Sequence, residues 1–309
     1  MIRIAAIDCG TNSLRLLVAD VDGVGGVDKV DVHREMRVVR LGQGVDQTGS
    51  LAPEALERTR LALVDYAAIC RSLGVTKTRM VATSATRDAS NRNDFVALVE
   101  HALAVTPEVI SGDEEAALSF VGATGALPAA DGPFLVMDIG GGSTEFVLGA
   151  AVVEAARSVD IGCVRLTERH LRDDPPTRAQ IDAARVDIDA AVRSVLEVVP
   201  AQRARTAVGL AGSVTTVAAL ALGLSTYQPE VIHLSRLRAE QVREVTADLL
   251  SMTRAERARL PVMHPGRVDV IAGGALVLQR AMDLIGLEEI VVSESDILDG
   301  IALSVGSSA

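Results

Sequence analysis

The sequence has no tryptophan, and aromatic residues make up only 2% of its 309 positions. Its core must therefore be filled by Ala, Val, Leu and Ile, the residues of strands buried on both faces, and apolar types reach 49%. Lysine is nearly missing as well. Of thirty basic residues only Lys29 and Lys77 are lysines, so any anion contact falls mostly to arginine, whose planar fork grips two oxygens at once. A net charge of −11 excludes a general nucleic-acid or anionic-membrane binder, because sequence-independent affinity for a polyanion comes from a basic surface. A local anion site survives that exclusion. Three cysteines, Cys9, Cys70 and Cys163, are an odd number without metal-ligand spacing, which suits a reducing cytoplasm. MIRIAAID at the start runs straight into strand-like sequence and lacks a signal-peptide pattern. One uncharged stretch, Thr206 to Pro229, is long enough to cross a bilayer. Gly209, Gly212 and Gly223 interrupt it, with Thr215 and Thr216 in its middle, so it reads as a buried strand, turn and helix of a protein without a membrane span.

What is present centres on Leu135 to Gly149, LVMDIGGGSTEFVLG. Four apolar residues, Phe134 to Met137, lead to Asp138, three glycines follow at Gly140 to Gly142, and Ser143 and Thr144 open a second β-type run, which predicts strand, tight turn and strand. Glycine lets backbone N–H groups converge closely on an anion. The pattern recurs at an offset of 130 residues in AAIDCGTNSLRLLVADV: Asp8 matches Asp138, Gly10 matches Gly140 and Ser13 matches Ser143. Arg15 and Glu145 occupy equivalent positions two residues past the serines, on the serine's side of each strand. An internal duplication with two phosphate-holding hairpins facing each other is the simplest inference, and 309 residues suffice for two domains.

In chain order, Ile2 to Cys9 and Leu14 to Asp20 read as the strands of the first hairpin. Asp22-Gly23 and Gly25-Gly26 form the next turn, and Val27 to Leu41 a further strand. Pro53 opens a helix to about Leu73, ended by Gly74. A strand, Arg79 to Thr83, a helix from Asn93 to Leu103 and a short strand at Val109 and Ile110 follow. Ser111-Gly112-Asp113-Glu114 has the S-x-x-E spacing of a capping box, which would fold Glu114 back onto the cap. Glu115, roughly 100° further round the helix, is left to point elsewhere. Ala126 to Pro133 reads as the linker. Then come strand Val152 to Ile161, a helix from Thr177 to about Val199, strand Thr206 to Ala211 with Gly212-Ser213 turning into a helix, helices Ala239 to Ser251 and Val268 to Ile285, strand Glu289 to Val292, and a closing helix, Asp296 to Val305. Clustered strands followed by helices, twice over, predict an α/β fold with mixed sheets.

With IDCGTNS, TSATRDASN, ISGDEEA, MDIGGGSTEFV and GLAGSVTT in this order, the chain resembles the exopolyphosphatase and guanosine pentaphosphate phosphohydrolase family of the actin-like superfamily, in its short two-domain form. The resemblance implies two actin-like (ribonuclease H-like) domains, 1–126 and 127–309, with a cleft between them and the last helix, about 296–306, able to pack back on the first. It implies hydrolysis of terminal phosphate from polyphosphate, or conversion of pppGpp to ppGpp, in a cytoplasmic homodimer. A phosphoryl group would be held by Gly10, Thr11, Asn12 and Ser13 and by Gly140, Gly141, Gly142, Ser143 and Thr144. Asp138, with Asp8 and Glu145, would hold Mg²⁺ or Mn²⁺. Glu115 would be the general base, Arg87 and Arg15 would neutralise phosphoryl charge, and the turn at Gly212 and Ser213 would approach a nucleoside. A non-catalytic polyphosphate or alarmone sensor and an ATP-dependent kinase are the rivals from other classes. Many members carry Gly-Leu-Arg-Glu-Gly before the last helix; this chain has Asp296-Ile297-Leu298-Asp299-Gly300. The missing arginine and the acidic balance point to short chains or a nucleotide tail rather than a long basic channel.

Overall fold

The computed structural model describes residues 1–22 and 29–307; the expected turn at Gly23, Gly25 and Gly26 lies outside the described residues. The elements in order are β1 (Ile2–Cys9), β2 (Ser13–Val21), β3 (Lys29–Val38), α1 (Val45–Thr48), α2 (Pro53–Ser72), β4 (Lys77–Ala82), α3 (Ser84–Asp88), α4 (Arg92–Leu103), β5 (Glu108–Val109) and α5 (Gly112–Thr124). Next are β6 (Phe134–Ile139), β7 (Thr144–Gly149), β8 (Val153–Val159), α6 (Cys163–Arg169), α7 (Arg178–Leu196), β9 (Thr206–Leu210), α8 (Ala211–Ala221) and α9 (Pro229–Ile232). The chain closes with β10 (Arg236–Arg238), α10 (Ala239–Ser251), α11 (Arg254–Arg257), α12 (Ile271–Ile285), β11 (Glu289–Val292) and α13 (Ile297–Ser307). These fall into two compact units, Met1–Gly125 with Asp296–Ala309, and Ala126–Ser295. The α/β class with two mixed, helix-flanked sheets is as expected.

The first unit is a five-stranded sheet in the order β3-β2-β1-β4-β5, antiparallel across β1, β2 and β3 and parallel from β1 through β4 to β5. Side-chain alternation splits its core in two. Ala5, Ile7, Cys9, Leu14, Leu16 and Val18 join the cluster that contains Leu63, Tyr66 and Phe95 of α2 and α4. Ile4, Ala6, Leu17 and Ala19 face the other way, onto Leu118 of α5 and Ile297, Leu298 and Ile301 of α13. Asp8 and Arg15 share the parity of that second set. Pro53 begins α2 and left-handed Gly74 (φ +70°) follows its end, as the residue types predict.

The second unit has a six-stranded sheet, β10-β11-β9-β6-β7-β8. Read from the other side, β8-β7-β6-β9-β11 repeats the order of the first unit, and β10 adds an antiparallel edge. Thr177 caps α7 with Gln180 in a capping box. The uncharged stretch from Thr206 resolves into β9 and α8, and no helix among the described residues is long and apolar enough to cross a membrane. Helix α6 has no counterpart in the sequence-based reading.

Candidate functional site

Each hairpin places its acid at the end of a buried strand. Asp8 lies opposite Arg15 and Asp138 opposite Glu145, so the 130-residue repeat is also a repeat of register. Both turns close alike, with Gly10 N–H donating to Ser13 O (3.0 Å) and Gly140 N–H to Ser143 O (3.1 Å).

The supports differ. In the first turn, Val39 and Arg40 N–H groups donate to Asn12 O (3.1 and 2.8 Å) and Gly42 N–H donates to Thr11 O (2.8 Å). Arg40 accepts a left-handed backbone (φ +52°), a conformation unfavourable for a side-chain-bearing residue and typical of constrained functional segments. Thr11 Oγ1 and Ser84 Oγ share a hydrogen bond (2.9 Å), fastening α3 to the turn. In the second turn, the start of α6 supplies the donors: Cys163 N–H to Gly140 O (3.0 Å), and Val164 and Arg165 N–H to Gly141 O (2.9 and 3.2 Å). Arg165 Nε adds a bond to Gly142 O (2.8 Å). With these carbonyls engaged, the amide N–H groups of Gly141, Gly142 and Ser143 find no acceptor among the described residues, the arrangement of an anion-receptive nest. Gly162 lets α6 come this close, since a Cβ there would stand 2.4 Å from Gly141 O. Gly162, Arg165 and Arg40 are contributors that sequence reasoning missed; a glycine before an apolar i, i+3 pair, Cys163 and Leu166, was the available signal for α6.

Glu115 is buried at 8% exposure in the first turn of α5. Ser111 caps the helix by accepting Glu114 N–H (3.2 Å), but the Glu114 carboxylate does not fold back as expected. It pairs instead with Arg79 (2.8 Å), a contact in which donor and acceptor are both charged rather than the acceptor alone. Arg87, on α3, donates through Nη1 to Ile110 O (2.9 Å) and to Glu115 Oε2 (3.2 Å). The structure thus brings Glu115 and Arg87 together.

Arg15 is committed to acids. Its Nε and Nη2 both donate to Asp8 Oδ2 (2.9 and 2.6 Å) and its Nη1 donates to Asp296 Oδ2. Burial pushes the Asp8 carboxyl above its ordinary value, and Arg15 offsets this only in part. Asp8 Oδ1 is buried with no hydrogen-bond partner. In the second hairpin, Glu145 Oε1 accepts from Ser158 (2.7 Å), and two carboxylates directly opposite each other repel unless a cation is supplied. Among the described residues no three His, Cys, Asp or Glu side chains gather as a metal cage. Mg²⁺ needs none, since it takes one or two carboxylates and keeps its waters. The orphaned Asp8 oxygen in the first unit and the opposed acid pair in the second are, each by itself, suited to such an ion.

The glycine turn before α8 is differently occupied. Ser213 is not an N-cap; α8 begins at Ala211, and Ser213 is buried inside it against Gly274, where a Cβ would lie 2.1 Å from its Oγ. Gly212 is covered by the Arg267 guanidinium, 2.5 Å from the position of a Cβ. Leu298, standing where the pattern has arginine, is buried in the apolar cluster of α13.

The Ppx/GppA phosphatase family matches residues 17–308. The chain is 53% identical to exopolyphosphatase 2 of Mycobacterium tuberculosis over 98% of both chains. It is similar to the crystal structure of an exopolyphosphatase-like protein (44% identity, 99% of both chains, TM-score 0.94). It is also similar to the Aquifex aeolicus Ppx/GppA member (28% identity, 98% of this chain and 97% of that one, TM-score 0.81). Twin sheets of the same strand order, hairpins of matching register at both acids and these likenesses agree: the chain belongs to the Ppx/GppA phosphatase family.

Proposed function

We infer that the chain is an exopolyphosphatase, a hydrolase that releases the terminal phosphate of inorganic polyphosphate. The observation that carries this is 53% identity to a curated exopolyphosphatase over nearly the whole of both chains. Glu115 is the general base in this reading. Its burial and its contact with Arg87 fix the carboxylate's direction and leave it close to the charge it must work against. Glu115 accepts a proton from the attacking water, and Arg87 steadies the phosphoryl oxygens, where electrostatics supplies most of the rate. Backbone N–H groups at Thr11 to Ser13 and at Gly141 to Thr144 bind phosphoryl oxygens. Asp8 in the first unit, and Asp138 with Glu145 in the second, are the residues that would hold Mg²⁺ or Mn²⁺. When bound, such a cation supplies Lewis-acid charge neutralisation at the phosphate.

The same chemistry would act on pppGpp, but the similarity to exopolyphosphatase 2 favours polyphosphate. The Arg267 guanidinium on Gly212 speaks in the same direction, because it covers the turn expected to approach a nucleoside. A cytoplasmic homodimer completes the proposal. Three cysteines without disulfides support the compartment; light scattering of the purified chain tests the dimer.

The deciding experiment is phosphate release from polyphosphate of defined lengths, with pppGpp at matched phosphate concentration, by the wild type and Glu115→Gln. The expected result is release from polyphosphate that falls about 10²–10⁴-fold in the variant while substrate still binds. Equal rates for the two proteins would remove Glu115 from its role, and release from pppGpp alone would overturn the substrate.

A further inference from the structure

Arginine grips carboxylates in two ways among the described residues, on both oxygens or on one. Arg3 and Asp20, on the same two strands, pair fork to fork: Nε meets Oδ1 and Nη2 meets Oδ2, each at 2.8 Å. Arg280 holds Asp189 in the same way, again with two bonds of 2.8 Å. That bidentate form is the usual one for arginine and carboxylate. Arg15 places both Nε and Nη2 on a single oxygen, Oδ2, and Oδ1 is left buried without a partner. Arg243 likewise puts Nε and Nη2 on one oxygen of Asp283 (2.9 and 2.8 Å), but there the other oxygen has Arg280 Nη1 at 3.4 Å; at Arg15 the remaining nitrogen, Nη1, donates instead to a second acid, at Asp296 Oδ2. Asp296 is itself fixed. Its Oδ1 accepts Leu298 N–H (2.9 Å) and its own N–H donates to Asp299 Oδ2 (2.8 Å). Asp299 Oδ1 is held by Arg34 and Lys29, each at 2.7 Å. Gly122 of α5 makes room for the backbone, since a Cβ there would lie 1.8 Å from Asp296 O. The Gly-Leu-Arg-Glu-Gly pattern has glycine at this position, so the arrangement comes from this chain's own residues.

We propose that Asp296 is a positioning residue: by turning Arg15 it confines the guanidinium to one oxygen of Asp8 and keeps the other available to a divalent cation. Its carboxylate also offsets the Arg15 guanidinium, so the surroundings of Asp8 are less positive, and less repulsive to a dication, than they would be without it. The inference rests on Asp8 as a cation-holding residue in the function proposed above.

Direct Mn²⁺ binding to the full chain, followed by the paramagnetic signal of the free ion and by calorimetry, tests it without relying on turnover. Asp296→Asn is expected to bind Mn²⁺ about tenfold more weakly than wild type, with Asp296→Glu recovering most of the loss. Arg34→Ala, which loosens the same segment by a different contact, is expected to lower the melting temperature while leaving Mn²⁺ affinity within about twofold. If Asp296→Asn binds as wild type does while Asp8→Asn binds weakly, the positioning role is overturned. Equal weakening in Asp296→Asn and Arg34→Ala reduces it to a structural contact and overturns it too. If Asp8→Asn binds as wild type does, the cation assignment to Asp8 fails instead.

Discussion

The two hairpins share a backbone and differ in charge. At the same register position the first sets an acid against a base, Asp8 and Arg15, and the second sets an acid against an acid, Asp138 and Glu145. Their turns are propped by unlike neighbours, a strained loop at Arg40 in one and the start of α6 in the other. A cradle of amide groups therefore depends on where carbonyls are tied rather than on which element ties them. Once the cradle is in place, side chains across the hairpin are able to diverge toward separate tasks.

Giving the second hairpin the charges of the first is the strongest way to break this comparison. Glu145→Arg is expected to lower polyphosphate hydrolysis by at least about 100-fold and to weaken Mn²⁺ binding, whereas Glu145→Gln costs less in both; kinetics and Mn²⁺ titration read the difference.

A second test concerns the ion pairs of the first unit. Burial would raise the Asp299 carboxyl, but Arg34 and Lys29 outweigh it and hold it below its ordinary value of 3.8. Its stabilising contribution is thus in place above pH 3.8 and is lost as the pH falls through the lowered value. Asp299→Asn should cost about 3 kcal/mol at pH 7, a gap in denaturant midpoints that narrows in acid. Asp8 has the opposite sign. Its carboxyl is raised, so the ionised form weakens the fold near neutrality and the penalty fades as the pH falls through the raised value. Asp8→Asn should melt higher than wild type while losing activity.

Smaller effects separate the supports. Gly162→Ala puts a methyl against the backbone of Gly141, whereas Gly42→Ala meets the Thr11 methyl, 2.3 Å from the new Cβ. The first is expected to raise KM about tenfold and the second less, because a side chain yields more readily than a carbonyl. Arg165→Ala, which removes one bond to Gly142 O, should cost about 1 kcal/mol of apparent binding, measured as KM for short polyphosphate.

Sequence made the hairpins legible to the residue because glycine, serine and aspartate have few reasons to recur at a fixed offset. The strand Glu289–Val292 and the helix Ala239–Ser251 fall where hydrophobic pattern places them. Helix α6 was hidden: seven residues capped by Gly162 with no side-chain cap bond carry too little periodicity to register. The Glu114 cap was misread because its competitor, Arg79, lies 35 positions away, beyond any local rule. Ser213 was misplaced because α8 starts on Ala211 in a left-handed conformation (φ +70°), which its residue type does not announce. The Arg15 contact with Asp296 spans 281 positions and has no sequence signature at all.

That span has a consequence for how the protein is made. The first unit includes Met1–Gly125, yet the face formed by Ile4, Ala6 and Leu17, which Leu118 covers in part, is completed only when Ile297, Leu298 and Ile301 arrive. Each of those three side chains contributes about 1.5–3 kcal/mol on burial. They are synthesised after the whole of the second unit, which has had time to fold on its own. The first unit is therefore begun before the second and completed after it, and a nascent chain short of Asp296 carries Glu115 and Arg87 on an uncompleted core.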